Sequence, residues 1–347
     1  MTWGHGGDLP GYERKYGRIP LDFSANVSPF GMPENVRQAA AEALQEAHNY
    51  PDPFCRELRE ALSAKLCVPA EWILCGNGAS DLIYRLAYAS RPGHAYMAVP
   101  TFSEYRAALE AAGCRAAVHV LKEENDFELT EAFLEGITPD TDFVFLCQPN
   151  NPTGRAVEAG LLRRILKKCD DAGALLVMDE CFLPFMEKPE EYSLFPYLQG
   201  HRLLILRAFT KYEGMAGLRL GYCLCEDAEL LGKMRRAGPP WPVSSVAQAA
   251  GIAALCDEET RVRLRELIPA ERIRLADGLR EAGYRVIPGE ANFLLFYGEE
   301  NLGRRLKQEG ILIRDCRNFD GLPAGWYRTA VRTPAENRLL LEAVKKM

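Results

Sequence analysis

The chain has 347 residues, of which 48% are hydrophobic and 26% charged, enough to bury a large core with a smaller domain attached and too apolar for a disordered or fibrous class. Its formal net charge is -6, and the 42 Lys and Arg are scattered rather than gathered into runs. No surface therefore suits a phosphate backbone or an anionic lipid, and neither nucleic acid nor a membrane is expected as a partner. The first residues lack the basic start and apolar stretch of a signal peptide, and no window approaches about 18 uninterrupted apolar residues, so a cytoplasmic location is expected.

Residues 1–31 are rich in Gly and Pro and read as an arm with little regular structure. From about residue 54 to 225 amphipathic helices alternate with short apolar runs. Leu161, Leu162, Ile165, Leu166 and Cys169 repeat at helical spacing, whereas 142–147, 174–178 and 203–206 read as strands buried on both faces. This alternation predicts an α/β fold, a mainly parallel sheet with helices on both sides, over 32–240. After Pro239-Pro240-Trp241-Pro242 a helical stretch runs from 243 to about 282. Strand-like alternation returns at 284–287, 292–296, 311–314 and 326–331, before a last helix starting near Pro334. Residues 241–347 are expected to form a smaller α+β domain. The 11 cysteines include no C-x-x-C pair, and most sit inside apolar patterns, so they read as buried thiols.

Several residues could carry chemistry, each with a plainer reading beside it. Asp179 closes the apolar run 174–178, where a carboxylate can pair with a cationic ring nitrogen, cap a helix or ligate a metal. Lys211 lies in the turn after 203–206, and alone it reads as a solvated surface charge. Arg219, eight positions on among glycines, offers a planar fork suited to a phosphate dianion. Gly76-Asn77-Gly78-Ala79-Ser80 opens a helix and could cradle a phosphate on free N–H groups and the Ser80 hydroxyl, or could be an ordinary helix entry. Asn151, in Asn151-Pro152-Thr153-Gly154, offers an amide after another buried strand, or forms an Asx turn. Together these supply what pyridoxal 5'-phosphate (PLP) needs: a lysine for its aldehyde, an acid for its ring nitrogen and an anion site for its phosphate.

In order and spacing the set resembles the fold-type-I PLP enzymes, the aspartate aminotransferase superfamily, over nearly the whole chain. The resemblance rests on N-P-T-G at 151–154, D-E at 179–180, T-K at 210–211 and G-L-R-L-G-Y at 217–222. It implies a seven-stranded PLP-binding large domain, with Lys211 and Asp179 catalytic and Gly78, Ala79, Ser80, Asn151, Thr210 and Arg219 holding the cofactor. It also implies that Phe102 stacks on the cofactor ring and that Tyr50 reaches the phosphate in a neighbouring subunit, hence a homodimer with shared active sites.

Within the superfamily the chain looks most like two paired families, the threonine-phosphate decarboxylases and the histidinol-phosphate aminotransferases. His5-Gly6-Gly7, Asp22-Phe23-Ser24-Ala25-Asn26, Pro100-Thr101-Phe102-Ser103-Glu104-Tyr105 and Arg328-Thr329-Ala330-Val331-Arg332-Thr333 lean toward the decarboxylases. So does Phe182, where aminotransferases of this kind usually carry a tyrosine. Ala208 is a departure from both, which usually place Ser or Thr there as a phosphate ligand. The resemblance implies a phosphorylated amino acid as substrate, with Asn26 and Asn151 among its contacts. Arg328 is expected on its α-carboxylate, and Arg332 with His5, Gly6 and Gly7 on its phosphate; a domain salt bridge is the alternative for either arginine. The expected reaction is decarboxylation of L-threonine O-3-phosphate to aminopropanol phosphate, a step of cobalamin biosynthesis, and the alternative is an aminotransferase of the histidinol-phosphate type.

Overall fold

The structure is a computed structural model, and it describes residues 4–347. Its strands are β1 (Leu21–Asp22), β2 (Ile73–Gly76), β3 (His94–Val99), β4 (Arg115–Val120), β5 (Phe143–Cys147), β6 (Leu175–Asp179), β7 (Leu203–Ala208), β8 (Gly221–Leu224), β9 (Arg285–Val286), β10 (Phe293–Tyr297), β11 (Ile311–Leu312), β12 (Arg314–Asp315) and β13 (Trp326–Ala330).

The large sheet has seven strands in the order β2-β8-β7-β6-β5-β3-β4. All neighbours are parallel except around β8, which runs antiparallel to both β7 and β2. β2 therefore points the same way as β5, β6 and β7. Their carboxyl ends share one edge, where Gly76 and Ala208 both stand opposite Gly221.

The central strands bury both faces, as their unbroken apolar runs require. Leu176 and Met178 of β6 enter one hydrophobic cluster, while Leu175 and Val177 enter the other on the opposite face. The helix Ala159–Ala172 shows how the flanking layer forms. Glu158 accepts from Gly160 N and Leu161 N at its start, Gly173 ends it in the left-handed region, and the five apolar positions at helical spacing are all buried.

The smaller sheet is antiparallel, in the order β12-β13-β10-β9. The final helix, Pro334–Val344, starts with a capping box between Thr333 and Glu336. No helix among the described residues is long and apolar enough to cross a membrane. All 11 cysteines are free thiols; Cys67 and Cys256 are exposed and the others buried.

Three expectations about elements are corrected. The N-terminal segment is more regular than its Gly and Pro content suggested. It forms a helix, Leu9–Tyr16, whose first turn accommodates Pro10 because no backbone N–H is needed there, and β1 pairs in parallel with β11. The run 311–314 is two short strands, since β11 pairs with β1 and β12 with β13. The stretch 243–282 breaks at Cys256–Asp257, where the Asp257 side chain accepts from Thr260 N and starts a new helix. Its first part, Ser245–Leu255, packs against the helices Glu34–Ala43 and Arg56–Leu66 beside the large sheet, although it follows the proline-rich connection.

Candidate active site

A cavity of about 380 Å³ opens at the shared carboxyl edge of β2, β5, β6 and β7 and is closed from the side by β12, β13 and the N-terminal segment. Lys211, Asp179, Asn151, Thr210, Arg219 and Phe102 all face it. Residues scattered over 118 positions of chain meet because each follows the end of a parallel strand or the start of the next helix.

The end of the cavity expected to take a phosphate is built by close backbone approach. Gly78 has φ +79, and a Cβ there would lie 2.7 Å from an Arg219 Nη atom. Gly221 is as constrained: its Cβ would lie 2.6 Å from Ala79 N, so only glycine lets β8 pass beneath the start of the helix Gly78–Ser90. Arg219 itself sits at φ 59 and donates to Ala216 O at 3.2 Å. A non-glycine residue held left-handed is uncommon, and here it places the guanidinium against the helix N-terminus, where N–H groups favour an anion. Ala79, Ser80 and Thr210 line the same end.

At the floor, burial and the positive charges of Arg328 and Arg219 push the Lys211 amine down to about 8. Its Nζ lies 5.7 Å from the centre of the Phe182 ring, which meets Phe293 edge-on at 5.0 Å. Asp179 is buried, accepting from Cys181 N at 2.9 Å and from the Tyr105 hydroxyl at 2.6 Å. Phe102 presents its ring beside Tyr105, centroids 5.5 Å apart.

On the opposite wall, buried Arg328 donates through Nη1 to Asn151 Oδ1 and through Nη2 to Ser24 O at 3.0 Å. Among the described residues its Nε has no partner, and neither has either amide atom of buried Asn26. Both residues line the cavity, and an unpartnered buried polar group calls for a ligand or water to satisfy it. His5 and Gly6 complete this wall, with His5 Nε2 3.1 Å from Glu104 Oε1. Gly7 lies just behind, donating to Ser24 Oγ at 2.8 Å.

Two expected residues stand elsewhere. Arg332 does not line the cavity. β13 ends at Ala330, so the alternation that would have aimed Arg332 like Arg328 stops, and its guanidinium pairs with Glu336 at 2.7 Å. The arginine that lines the cavity beside Arg328 is Arg314, which the sequence reading missed. Arg314 stands directly opposite Arg328 on the neighbouring strand and faces the same cavity. Tyr50 also lies outside the cavity of its own chain, 79% exposed and stacked on Trp241 with centroids 4.4 Å apart. The sequence reading had assigned it to a neighbouring subunit's site.

The profile of the family described as aminotransferase class I and II matches residues 18–344. The chain belongs to this family. This aminotransferase-family chain is 38% identical, over 99% of its length and 96% of the other's, to the threonine-phosphate decarboxylase of Salmonella typhimurium (strain LT2). It is 34% identical to histidinol-phosphate aminotransferase 1 of Cupriavidus pinatubonensis, covering 94% of this chain and 88% of that one. The crystal structure of the histidinol-phosphate aminotransferase from Clostridium acetobutylicum superposes with a TM-score of 0.87 at 29% identity, covering 94% of this chain and 98% of that one. The seven-stranded large domain with its smaller companion is thus the aspartate aminotransferase-like fold, and the chain is a PLP-dependent enzyme. The residues present fit PLP: an amine of lowered basicity, a buried carboxylate, a helix N-terminus with an adjacent guanidinium, and an aromatic ring between them.

Proposed function

We propose that this enzyme decarboxylates a phosphorylated amino acid, L-threonine O-3-phosphate, to aminopropanol phosphate. The observation that carries the reading is the pair of buried guanidiniums, Arg314 and Arg328, standing opposite one another at the cavity wall, matched to a substrate with two anionic groups. The 38% identity to a threonine-phosphate decarboxylase supports it, as does the phenyl ring of Phe182 beside Lys211, where aminotransferases of this kind usually present a hydroxyl.

In this reading Lys211 takes the aldehyde carbon of PLP, Asp179 pairs with the ring nitrogen, and Phe102 covers one ring face. Gly78, Ala79, Ser80, Thr210 and Arg219 hold the cofactor phosphate. Ala208 contributes no hydroxyl, so Thr210 and Ser80 supply those contacts. When bound, PLP supplies an electron sink for the pair released as a bond to the substrate Cα breaks. Arg328, oriented by Asn151 and Ser24, takes the α-carboxylate bidentately. Arg314, Asn26 and the His5-Gly6-Gly7 segment take the side-chain phosphate. Fixing both anions would orient the substrate so that its bond from Cα to the carboxylate, rather than another Cα bond, is the one set to break. CO₂ would leave, and the Lys211 amine, facing the cavity, would be placed to hand a proton to Cα.

The enzyme is further read as a homodimer. Tyr50 and Trp241 form an exposed aromatic pair outside the chain's own cavity, suited to reach a second copy's phosphate site. The test of the reaction is incubation of the PLP-loaded enzyme with O-phosphothreonine. Release of CO₂ with aminopropanol phosphate and no 2-oxo acid is expected. Accumulation of pyridoxamine phosphate with a 2-oxo acid would move the enzyme to the aminotransferases, the reading favoured by its 34% identity to a histidinol-phosphate aminotransferase.

A further inference from the structure

The tyrosines Tyr12, Tyr212 and Tyr327 direct their hydroxyls to backbone carbonyls, at Lys307, at Arg261, and at Glu299 and Glu300. Tyr105 does not. Its hydroxyl donates to Asp179 Oδ2 at 2.6 Å, and the side chain is 0% exposed. The ring is wedged between two others, stacked on Phe145 at 5.3 Å and edge-on to Phe102 at 5.5 Å. Phe102 caps the helix Ser103–Ala111 and Tyr105 lies one turn in, so the two project to the same side. The aromatic floor of the cavity and the support of its carboxylate are therefore one packed unit.

We propose that Tyr105 is a positioning residue that acts through Asp179: its hydroxyl and the Cys181 N–H fix the plane of the carboxylate, leaving lone pairs aimed at the ring nitrogen of PLP. This rests on the reading of Asp179 as the partner of that nitrogen. An ionised carboxylate has about four acceptor sites, and these two donors occupy one on each oxygen. Burial and the nearby Asp179 charge push the Tyr105 phenol well above its usual range, so it stays a donor at any working pH. Without the hydroxyl, a buried carboxylate oxygen loses its donor while the ring's packing is kept.

The test uses Tyr105→Phe, Asp179→Asn and the double variant. The readouts are PLP affinity by equilibrium dialysis and the ¹⁵N resonance of the ring nitrogen in enzyme loaded with labelled PLP. Tyr105→Phe is expected to weaken PLP about tenfold, the scale of one unsatisfied buried acceptor, and to move the resonance toward the unprotonated form. In the Asp179→Asn background it should add nothing to either readout, because the effect passes through the carboxylate. Tyr105→His, which keeps a donor, should recover part of both signals. An unmoved resonance in Tyr105→Phe, or an equal loss of affinity in both backgrounds, overturns the proposal. If Tyr105→Phe does not fold, a Tyr105→His resonance as far toward the unprotonated form as that of Asp179→Asn overturns it instead. If Asp179→Asn alone changes neither readout, the reading of Asp179 fails, which is distinguishable from a failure confined to Tyr105.

Discussion

Arg314 and Arg328 occupy the same register position on the adjacent antiparallel strands β12 and β13, and both guanidiniums are buried at one cavity. Like charges so placed repel, and the Arg328 guanidinium shows it: burial and Arg314 together bring it down to about 10. Both remain charged near neutrality, which makes the wall a standing attraction for a dianionic ligand.

Replacing either member of the pair should therefore cost catalysis. Arg314→Ala or Arg328→Ala removes charge-assisted hydrogen bonds of about 1.5–3 kcal/mol each, so kcat/KM for O-phosphothreonine should fall roughly ten- to a hundredfold. Arg332→Ala removes only a partly exposed pair with Glu336, about 0–1 kcal/mol, and should leave kcat/KM close to that of the natural chain. Steady-state kinetics on the three variants checks the assignment, and a loss at Arg332 as large as at Arg314 would reverse it.

The lowered basicity of Lys211 predicts a pH dependence. Below about 8 its amine is an ammonium in the folded protein and cannot attack the aldehyde; above it the neutral amine prevails. Capture of PLP by the cofactor-free protein, followed by visible absorbance after rapid mixing, should accelerate as pH rises through about 8. In Arg328→Ala the midpoint should move up, since a positive neighbour has been removed. The unfolded chain binds the Lys211 proton more tightly than the folded one, so this group's contribution to stability improves as pH rises from about 8 toward the ordinary lysine value of 10.5.

Gly221→Ala should damage the phosphate end without touching any cofactor ligand directly. The added Cβ meets backbone at 2.6 Å, which a flexible side chain could evade but a helix start cannot. Displacing Ala79 should loosen PLP by roughly tenfold or more, on the scale of about 1–3 kcal/mol for overpacking. Equilibrium dialysis reads the affinity, and far-ultraviolet circular dichroism shows that the fold persists.

Glu180, next to Asp179, supports the site from the other side of β6. It is 0% exposed, paired with Arg207 at 2.7 Å and accepting from Ser193 Oγ at 2.8 Å. Arg207→Ala leaves that carboxylate buried with its charge uncompensated, a cost of about 3–5 kcal/mol. Urea denaturation should show a midpoint well below that of the natural chain, with Glu180→Gln plus Arg207→Ala less damaging than Arg207→Ala alone.

The sequence by itself determined three of the seven strands of the large sheet, β5, β6 and β7, and the residues that follow their carboxyl ends. Runs such as 175–178, short, apolar and followed by a polar group, read as strands buried on both faces, and the groups that follow them, Asp179, Asn151 and Lys211, are local in sequence to the edge they occupy. The glycines at 78 and 221 were legible as motif positions, though only the structure shows the backbone approaches that require them. What the tertiary structure alone decided is which arginine joins Arg328. Alternation pointed to Arg332, four residues on, but a strand's period holds only while the strand lasts, and β13 stops at Ala330. Arg314 comes from a separate short strand 14 positions earlier, brought opposite Arg328 by antiparallel pairing. Tyr105 was hidden for the same reason. A tyrosine in an amphipathic helix reads as core, and only the stacking of its ring on Phe145 of β5, beside the end of β6, turns its hydroxyl toward Asp179 rather than a carbonyl.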